Sequence, residues 1–323
     1  MVRVLAKEKL VKGKTVGVDA TTLEANAAMR SIVRRDTGET YRAYVTCLAK
    51  ASGIETPTDE EVRKFDKKRK KKTSNEDWHN PHDPDARVTK MKDGRTHLAH
   101  KAEHVTDLAT NAIVGLTLCP GDAGDSQSLA GSLAQAAQTL EAVAADPEAC
   151  KHIHDKPLTE VVTDKGYHSN DTLLHLKGHN IRSYIAEPDR GRRKWDGKHD
   201  ARDAVYANRR RIKGNRAAGL RCQRAERVER GFAHNYDTGG MGRIHLRGHE
   251  NIFKRLLVHV SGHNLGLLMR KICGAGTSRG LKDLIAMFWA TAGRVKCSWI
   301  VSGPFQTGLR PLTIGEMQLK TTS

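Results

Sequence analysis

The sequence predicts an α/β fold, a mixed sheet flanked by helices, and three observations support this. A short apolar run leads into Asp19, two alternating runs surround the turn at residues 107–111, and another apolar run leads into Asp164. Such runs are typical of strands, and a pair around a polar turn is typical of a β-hairpin. The order strand, hairpin, helix, strand, helix, strand and further helices fits a mixed sheet with helices packed on it.

The helix after the hairpin is predicted from apolar side chains that recur at helical spacing over residues 126–145, with Asp125 or Ser126 as its N-cap. One stripe of this helix carries Leu129, Leu133, Ala136, Leu140 and Val143. Further on we predict a helix over 170–180 capped by Asn170, a strand over 181–187, and helices over 227–237 and 250–271, the last with a buried stripe of Phe253, Leu256, Leu257, Val260, Leu265 and Leu268.

The composition indicates a polyanionic partner. The 323 residues include 55 Lys and Arg against 37 Asp and Glu, which gives a formal net charge of +18. A protein this basic is typically a partner of nucleic acid. The six cysteines are scattered singly, which indicates free thiols in a reducing cytosol. No run approaches ~20 apolar residues, so we expect no membrane span and a cytoplasmic location.

Two aspartates share one local pattern. Asp19 and Asp164 each follow an apolar strand and precede a polar turn. Neighbouring strands would bring both carboxylates to one sheet edge, where Mg²⁺, which prefers oxygen ligands, would bind. Glu229 is the candidate third carboxylate, Glu226 one turn earlier competes with it, and Glu250 is weaker. The residues alone are equally explained by turn caps and by ion pairs along a helix.

Basic residues near these carboxylates are candidates for contacts with DNA phosphates. The runs at 67–72 and 209–213 are predicted to line a DNA path, because Lys and Arg neutralise phosphates without reading sequence. The candidate DNA-binding residues are Lys165, Arg209, Arg210, Arg211, Lys213, Arg224, Arg227, Arg243 and Arg247.

Six segments in this order resemble bacterial insertion-sequence transposases of the DDE type, from about Val16 to Lys271. They are "VGVDATTLEANAAMRSIVRRDTGE", "DPDARVTKMKDGRTHLAHKAEHVTDLATNAIV", "VVTDKGYHSN", "YANRRRIKG", "RVERGFAHNYDTGGMGR" and "HLRGHENIFKRLLVHVSGHNLGLLMRK". The resemblance implies a ribonuclease H-like fold in which Asp19, Asp164 and Glu229 are catalytic and bind two Mg²⁺ or Mn²⁺ ions. It implies metal-dependent nicking of double-stranded DNA at element ends and strand transfer into a target. It also implies a homo-oligomer assembled on DNA, in a bacterial cytoplasm and at the nucleoid when DNA is bound.

The resemblance also suggests how the chain is divided. Residues 1–35 begin the catalytic domain, 36–95 are a basic, polar segment after the first strand that looks inserted or mobile, 96–275 complete the domain, and 276–323 form an irregular tail. Only eighteen residues precede Asp19, whereas related transposases carry a helical DNA-binding region there, so we expect a shortened copy or a later start.

A second departure concerns a lysine that many relatives carry two turns after the catalytic glutamate, because Tyr236 stands at that position here. Two alternatives therefore remain open. One is a truncated, non-catalytic DNA-binding remnant that inhibits transposition, and the other is a metal-dependent nuclease on the same fold.

Overall fold

The computed structural model describes residues 1–70, 73–91, 94–189, 191, 193–277, 280, 282–283 and 285–287. The described chain contains both helices and strands, and one π-helical segment, Ala233–Thr238, continues a long helix. The elements are α1 (Val2–Lys7), β1 (Thr15–Glu24), β2 (Val33–Arg34), α2 (Tyr41–Ala51), α3 (Asp59–Lys68), β3 (Trp78–His79), β4 (Arg87–Lys90), β5 (Thr96–Asp107), β6 (Ile113–Pro120), α4 (Asp125–Ala144), β7 (Glu160–Thr163), α5 (Asn170–Gly178), β8 (Arg182–Ile185), α6 (His199–Ile212), α7 (Asn215–Phe232) and α8 (His249–Cys273).

The main sheet is mixed, as the sequence predicted, and has six strands. Its order is β4, β5, β1, β7 and β8, with β6 also paired to β5. β1 runs antiparallel to β5 and parallel to β7, and β7 is parallel to β8. The predicted hairpin is β5 and β6, which pair antiparallel around residues 107–111. β1 therefore lies at the junction between the antiparallel and parallel halves.

Helices cover both faces of this sheet because side chains alternate along each strand. Val16 and Val18 belong to an apolar cluster that includes Leu133 and Leu140 of α4. Gly17 faces the opposite way, toward Val228 of α7. Helices α4 and α7 thus pack on opposite faces of β1, and all five predicted stripe residues of α4 are buried.

The inserted segment 36–95 folds into helices and strands where the structure describes it. Trp78 is buried, and the rings of Tyr41 and Tyr44 meet it edge-on at 5.1 and 5.3 Å. Thr58 and Glu61 form a capping box at the start of α3. A small apolar cluster around Trp78 therefore orders a segment that its polar composition had suggested to be mobile.

Three local predictions were wrong. Asp19 lies in the middle of β1 instead of at its end, because pairing with β5 continues to Glu24. The N-caps are Gly124 for α4 and Ser169 for α5, each beside the residues that had been predicted. In α8, Leu257 and Leu265 are 38% and 43% exposed, because the helix faces the core with Ile252, Leu256 and Val260 instead.

Two further predictions concern the C-terminal tail and membrane spans. The C-terminal tail over 276–323 lies mostly outside the described residues. Within the described chain, no helix combines the length and the apolar composition that crossing a membrane requires.

Gly17 should be required for close packing of α7 on β1. A Cβ at this position would lie 2.6 Å from Leu108 Cδ2 and 3.2 Å from Val228 Cγ2. We expect Gly17→Ala to lower the free energy of unfolding by about 1–3 kcal/mol, the usual cost of overpacking, as measured by urea denaturation. The matched control is Gly219→Ala in α7, where a Cβ meets nothing within 4 Å and should stabilise the helix by up to ~1 kcal/mol. Equal stability of the two variants would contradict this account.

Candidate active site at the junction of the parallel strands

The pairing of β1 with β7 brings Asp19 and Asp164 together. Gly17 pairs with Val162 in parallel register, and each aspartate lies two residues further along its chain. Two residues is one full side-chain period, so both carboxylates emerge on the same face as that pair. Neighbouring strands lie about 4.8 Å apart. The two predicted carboxylates therefore lie side by side.

Asp19 is held between a cation and a like charge. Arg224 of α7 donates from Nη1 to Asp19 Oδ2 at 2.8 Å, and the Ala20 amide donates to Oδ1 at 2.9 Å. Burial raises the pKa of Asp19, attraction to Arg224 lowers it in part, and repulsion from Asp164 raises it further. The pKa of Asp19 is raised overall, because burial and the neighbouring carboxylate both destabilise its ionised form.

Asp164 caps the short 3₁₀ turn Lys165–Tyr167 that follows β7. Its Oδ1 accepts a hydrogen bond from the Gly166 amide at 2.9 Å. Its other oxygen, Oδ2, makes no hydrogen bond to a residue that the structure describes. The segment "DKGY" thus presents one free carboxylate oxygen at the end of a buried strand.

Asp125, at the start of α4, approaches the same turn and was predicted only as a helix cap. A Cβ on Gly166 would collide with Asp125 Oδ2 and would lie 3.1 Å from Asp164 Oδ1. Asp125 Oδ1 accepts a hydrogen bond at 2.6 Å from Lys101 Nζ, whose side chain is almost fully buried. Gly166 therefore permits two acidic side chains to converge, and Lys101 balances one of them.

Glu103 anchors the Asp164 turn from the other face of the sheet. This carboxylate of β5 is completely buried, and the Tyr167 hydroxyl donates to its Oε1 at 2.7 Å. Ser128 donates to the same oxygen at 2.9 Å, and Ser132 donates to Oε2. An isolated buried carboxylate is costly, but three hydroxyl donors satisfy this one. Sequence reasoning missed Glu103, although a glutamate in a buried strand is itself a signal.

Glu229 does not join the two aspartates in this structure. An α-helix turns by about 100° per residue, so Glu229 points about 100° away from Val228, which packs over Gly17. Glu229 is exposed, and its carboxylate forms no hydrogen bond or ion pair with another described residue. Glu226 and Glu250 are also exposed and pair with Arg230 and Lys254. Within the described residues, no three His, Cys, Asp or Glu side chains form a group arranged to hold a metal ion.

The donors present at the site nevertheless fit a hard divalent cation. Asp19 and Asp164 supply carboxylate oxygens, and Asp164 Oδ2 has no competing hydrogen bond within the described chain. Such cations usually bind through one or two carboxylates together with substrate phosphates. Arg224 occupies Asp19 Oδ2 and would have to release it to a cation.

Tyr236, which stands where the resemblance led us to look for a lysine, is a core residue. Its hydroxyl lies 2.7 Å from His104 Nε2, and the ring of Phe232 packs against both. Burial lowers the pKa of His104 to about 3, so its ring is neutral and Nε2 can accept the tyrosine hydrogen. Tyr236 therefore contributes packing at this position.

The nine predicted DNA-binding residues divide into two groups. Four make contacts within the fold: Arg209 with Glu187, Arg211 with Ser183, Arg224 with Asp19, and Arg227 with the Leu108 carbonyl. The other five are exposed, and of these Arg243 lies 3.9 Å from Glu24 and Arg247 donates to the Asn26 carbonyl. The exposed residues are Lys165, Arg210, Lys213, Arg243 and Arg247.

Comparisons with known proteins add no relative. No family model matches the chain, and neither the curated proteins nor the solved structures contain a match to it. The structure itself shows a mixed α/β protein in which Asp19 and Asp164 lie beside the parallel strands β1 and β7.

Tyr167 should anchor the Asp164 turn through its hydroxyl. Tyr167→Phe leaves buried Glu103 with one donor fewer, and we expect it to lower the free energy of unfolding by about 1–3 kcal/mol. Urea denaturation measures this loss. Tyr44→Phe is the control, because the Tyr44 hydroxyl has no hydrogen-bond partner among the described residues. Equal stability of Tyr167→Phe and wild type would show that the hydroxyl does not anchor the turn.

The raised pKa of Asp19 predicts a specific dependence of stability on pH. The folded state holds the Asp19 proton more tightly than the unfolded chain does, so this group's contribution to stability is present at low pH. That contribution is lost as the pH rises from the unfolded value of about 3.9 through the folded pKa. Stability curves of wild type and Asp19→Asn in EDTA should therefore converge or cross in favour of the variant as the pH rises. A difference that grows in favour of wild type over this range would contradict the prediction.

Proposed function

We propose that the chain is the catalytic domain of a DDE-type transposase on a ribonuclease H-like fold, which nicks DNA and transfers strands. The observation that carries the proposal is the side-by-side placement of Asp19 and Asp164 on parallel strands β1 and β7. The six ordered sequence segments predicted these two residues as partners although 145 positions separate them. The strand order β5, β1, β7 and β8 is consistent with the expected fold.

In this proposal Asp19 and Asp164 hold divalent cations. When bound, two such ions would activate an attacking oxygen and stabilise the leaving oxygen in phosphoryl transfer. Arg224 neutralises Asp19 when no cation is present, since its guanidinium lies 2.8 Å from Oδ2. Once displaced from that oxygen, the same guanidinium is close enough to bind a phosphate of the reacting strand. Arg224 thus combines a role in the fold with the predicted role in DNA binding.

Glu229 is retained as the third carboxylate of the proposal. It faces solvent one residue beyond Val228, so reaching the two aspartates requires α7 to turn or its C-terminal end to rearrange. The π-helical segment Ala233–Thr238 follows the end of α7 directly. Irregular helical turns of this kind are frequent at functional sites, which supports a movable end.

A second candidate function is favoured by the outward direction of Glu229. A chain that binds DNA but never assembles three carboxylates would be a non-catalytic remnant that inhibits transposition. The exposed basic residues would serve either function. Only chemistry at Asp19 and Asp164 distinguishes them.

The test is nicking of a supercoiled plasmid that carries the DNA flanking the coding sequence, with Mg²⁺ or Mn²⁺. We expect wild type to nick, and EDTA to abolish the reaction. Asp164→Asn should lower the nicking rate by more than about 100-fold, since even indirect partners of metal ligands contribute 10–100-fold. Glu229→Gln should act like Asp164→Asn, whereas Glu226→Gln, the matched control one turn earlier, should retain activity.

Three outcomes would change the conclusion. Nicking without products joined to target DNA would favour a metal-dependent nuclease. DNA binding without nicking by wild type would favour the remnant. Loss of activity in Glu226→Gln with full activity in Glu229→Gln would reassign the third carboxylate.

A further inference from the structure

A cationic cavity lies beyond the carboxylates along β1. Its volume is about 600 Å³, and its lining includes Glu24, Arg30, His97, Arg243 and Arg247. His82 of segment 36–95 also lines it. The cavity is therefore built jointly by the end of β1, the insertion and the segment that follows the π-helix.

The cavity shares an edge of β1 with Asp164. β5 occupies one edge of β1 over its whole length, through the pair Glu24 and Ala99. The parallel bridge between Glu24 and Arg243 must therefore lie on the other edge, which β7 occupies at Thr15–Gly17. Asp19 and Asp164 lie beside this same edge of β1, between the end of β7 and the bridge to Arg243.

The arginines of the cavity are held by a fixed backbone. The Glu24 amide donates to the Gly242 carbonyl at 3.1 Å, and the Ile244 amide donates to the Glu24 carbonyl at 2.8 Å. Ile244 is buried in the core, and Asn26 donates to the His245 carbonyl at 2.8 Å. The backbone that carries Arg243 and Arg247 is thus positioned before any ligand arrives.

The charge of the cavity favours an anion. Arg30, Arg243 and Arg247 contribute three guanidinium groups, whereas Glu24 is the one acid in the lining. The Glu24 carboxylate oxygen Oε1 lies 3.6 Å from His97 Nδ1 and 3.9 Å from Arg243 Nε. Arg247 donates from Nε to the Asn26 carbonyl, and its Nη1 and Nη2 make no hydrogen bond to a described residue. The Arg30 side chain pairs with no other described residue. Free guanidinium groups bind phosphate oxygens well, often with two hydrogen bonds.

The cavity lies too far from the carboxylates to hold the reacting phosphate itself. Five residues of strand separate Asp19 from Glu24, which corresponds to about 17 Å. A DNA strand winds around the helix axis while it rises about 3.4 Å per base pair, so a phosphate bound at the cavity belongs to a different nucleotide from the reacting one.

We propose that this cavity is a second anchor for the DNA backbone, in which Arg30, Arg243 and Arg247 bind phosphates away from the reacting phosphodiester. The inference rests on the proposed function for the position of that phosphodiester. It adds Arg30 to the predicted DNA-binding residues. The contact is to phosphates, so it confers position and not sequence preference.

The first test measures binding of the full chain to a fluorescent 30-base-pair duplex by anisotropy over a range of salt concentrations. The variant Arg243→Ala/Arg247→Ala should lose about tenfold or more in affinity near 0.1 M salt. The slope of log K against log salt should become shallower by about 2, close to one unit for each lost phosphate contact. Arg243→Lys/Arg247→Lys keeps the charge and should retain most of the slope. The control Lys151→Ala/Lys177→Ala removes equal charge from exposed positions elsewhere.

The second test locates the contact. Single uncharged methylphosphonate linkages are placed at successive positions on each strand around the mapped nick. For wild type we expect weakened binding to peak at a linkage distinct from the nicked bond, and Arg243→Ala/Arg247→Ala should remove that peak. Equal losses in the lysine control, or a loss without any position dependence, would show a general charge effect and overturn the inference.

The outcomes separate this inference from the proposed function. If wild type binds no duplex, both fail. If wild type binds and nicks but the double variant matches the control, only the second anchor fails. If wild type binds with the predicted slope and position dependence but does not nick, the anchor stands and the catalytic proposal fails. No nicked bond then marks the reacting phosphate. Its place is taken by the linkage at which Asp164→Lys alters binding, and the position of the anchor is counted from that linkage.

Discussion

The parallel register of β1 and β7 is the constraint on which the candidate site depends. Because Gly17 pairs with Val162, Asp19 and Asp164 reach the same face at the same height. A slip of one residue would turn every side chain of a strand to the opposite face. The register is set by apolar side chains on both faces of β7, since all four of its residues are buried. Packing of the core thus decides whether the carboxylates meet.

The polar interior on the opposite face makes that placement rigid. Glu103, Ser128 and Tyr167 link β5, α4 and the Asp164 turn through hydrogen bonds within the core. Lys101 extends the network to Asp125 and to the Ser128 hydroxyl. A buried polar network that is fully satisfied restricts the structure to one arrangement, whereas a partly satisfied one is costly. This explains why charged residues persist in strand β5, which is otherwise a core strand.

Basic residues have two distinct roles in this fold. Arg209, Arg211 and Arg224 are fixed by contacts to Glu187, Ser183 and Asp19, so they stabilise the fold as it stands. Exposed residues such as Arg210 and Lys213 remain available to a polyanion. Arg224 links the two roles, because the charge it neutralises is the one that a cation would neutralise in its place. Burial raises the pKa of Asp19 and repulsion from Asp164 adds to the rise, whereas Arg224 opposes it.

Local patterns in the sequence predicted part of the fold and the two neighbouring aspartates. The hairpin β5–β6, helix α4 with its buried stripe, and the strand before Asp164 follow from periodicity over a few residues, and short-range periodicity is visible in a single chain. The pairing of Asp19 with Asp164 was predicted from a strand–turn pattern that Asp164 has and that Asp19, in the middle of β1, does not have. The N-caps of α4 and α5 were each predicted one or two residues away from their actual positions. The end of β1 was predicted too early, because pairing with β5 decides where this strand ends.

The partners of the two aspartates follow from long-range contacts. Tyr167 and Glu103 are 64 residues apart, and Arg224 and Asp19 are 205 apart, so no local pattern announces their contacts. The outward direction of Glu229 depends on which face of α7 packs against Gly17, and both faces of that helix carry charges in the sequence. Burial and ion pairing are properties of elements brought together in space, and for that reason the sequence alone could name the carboxylates but not their partners.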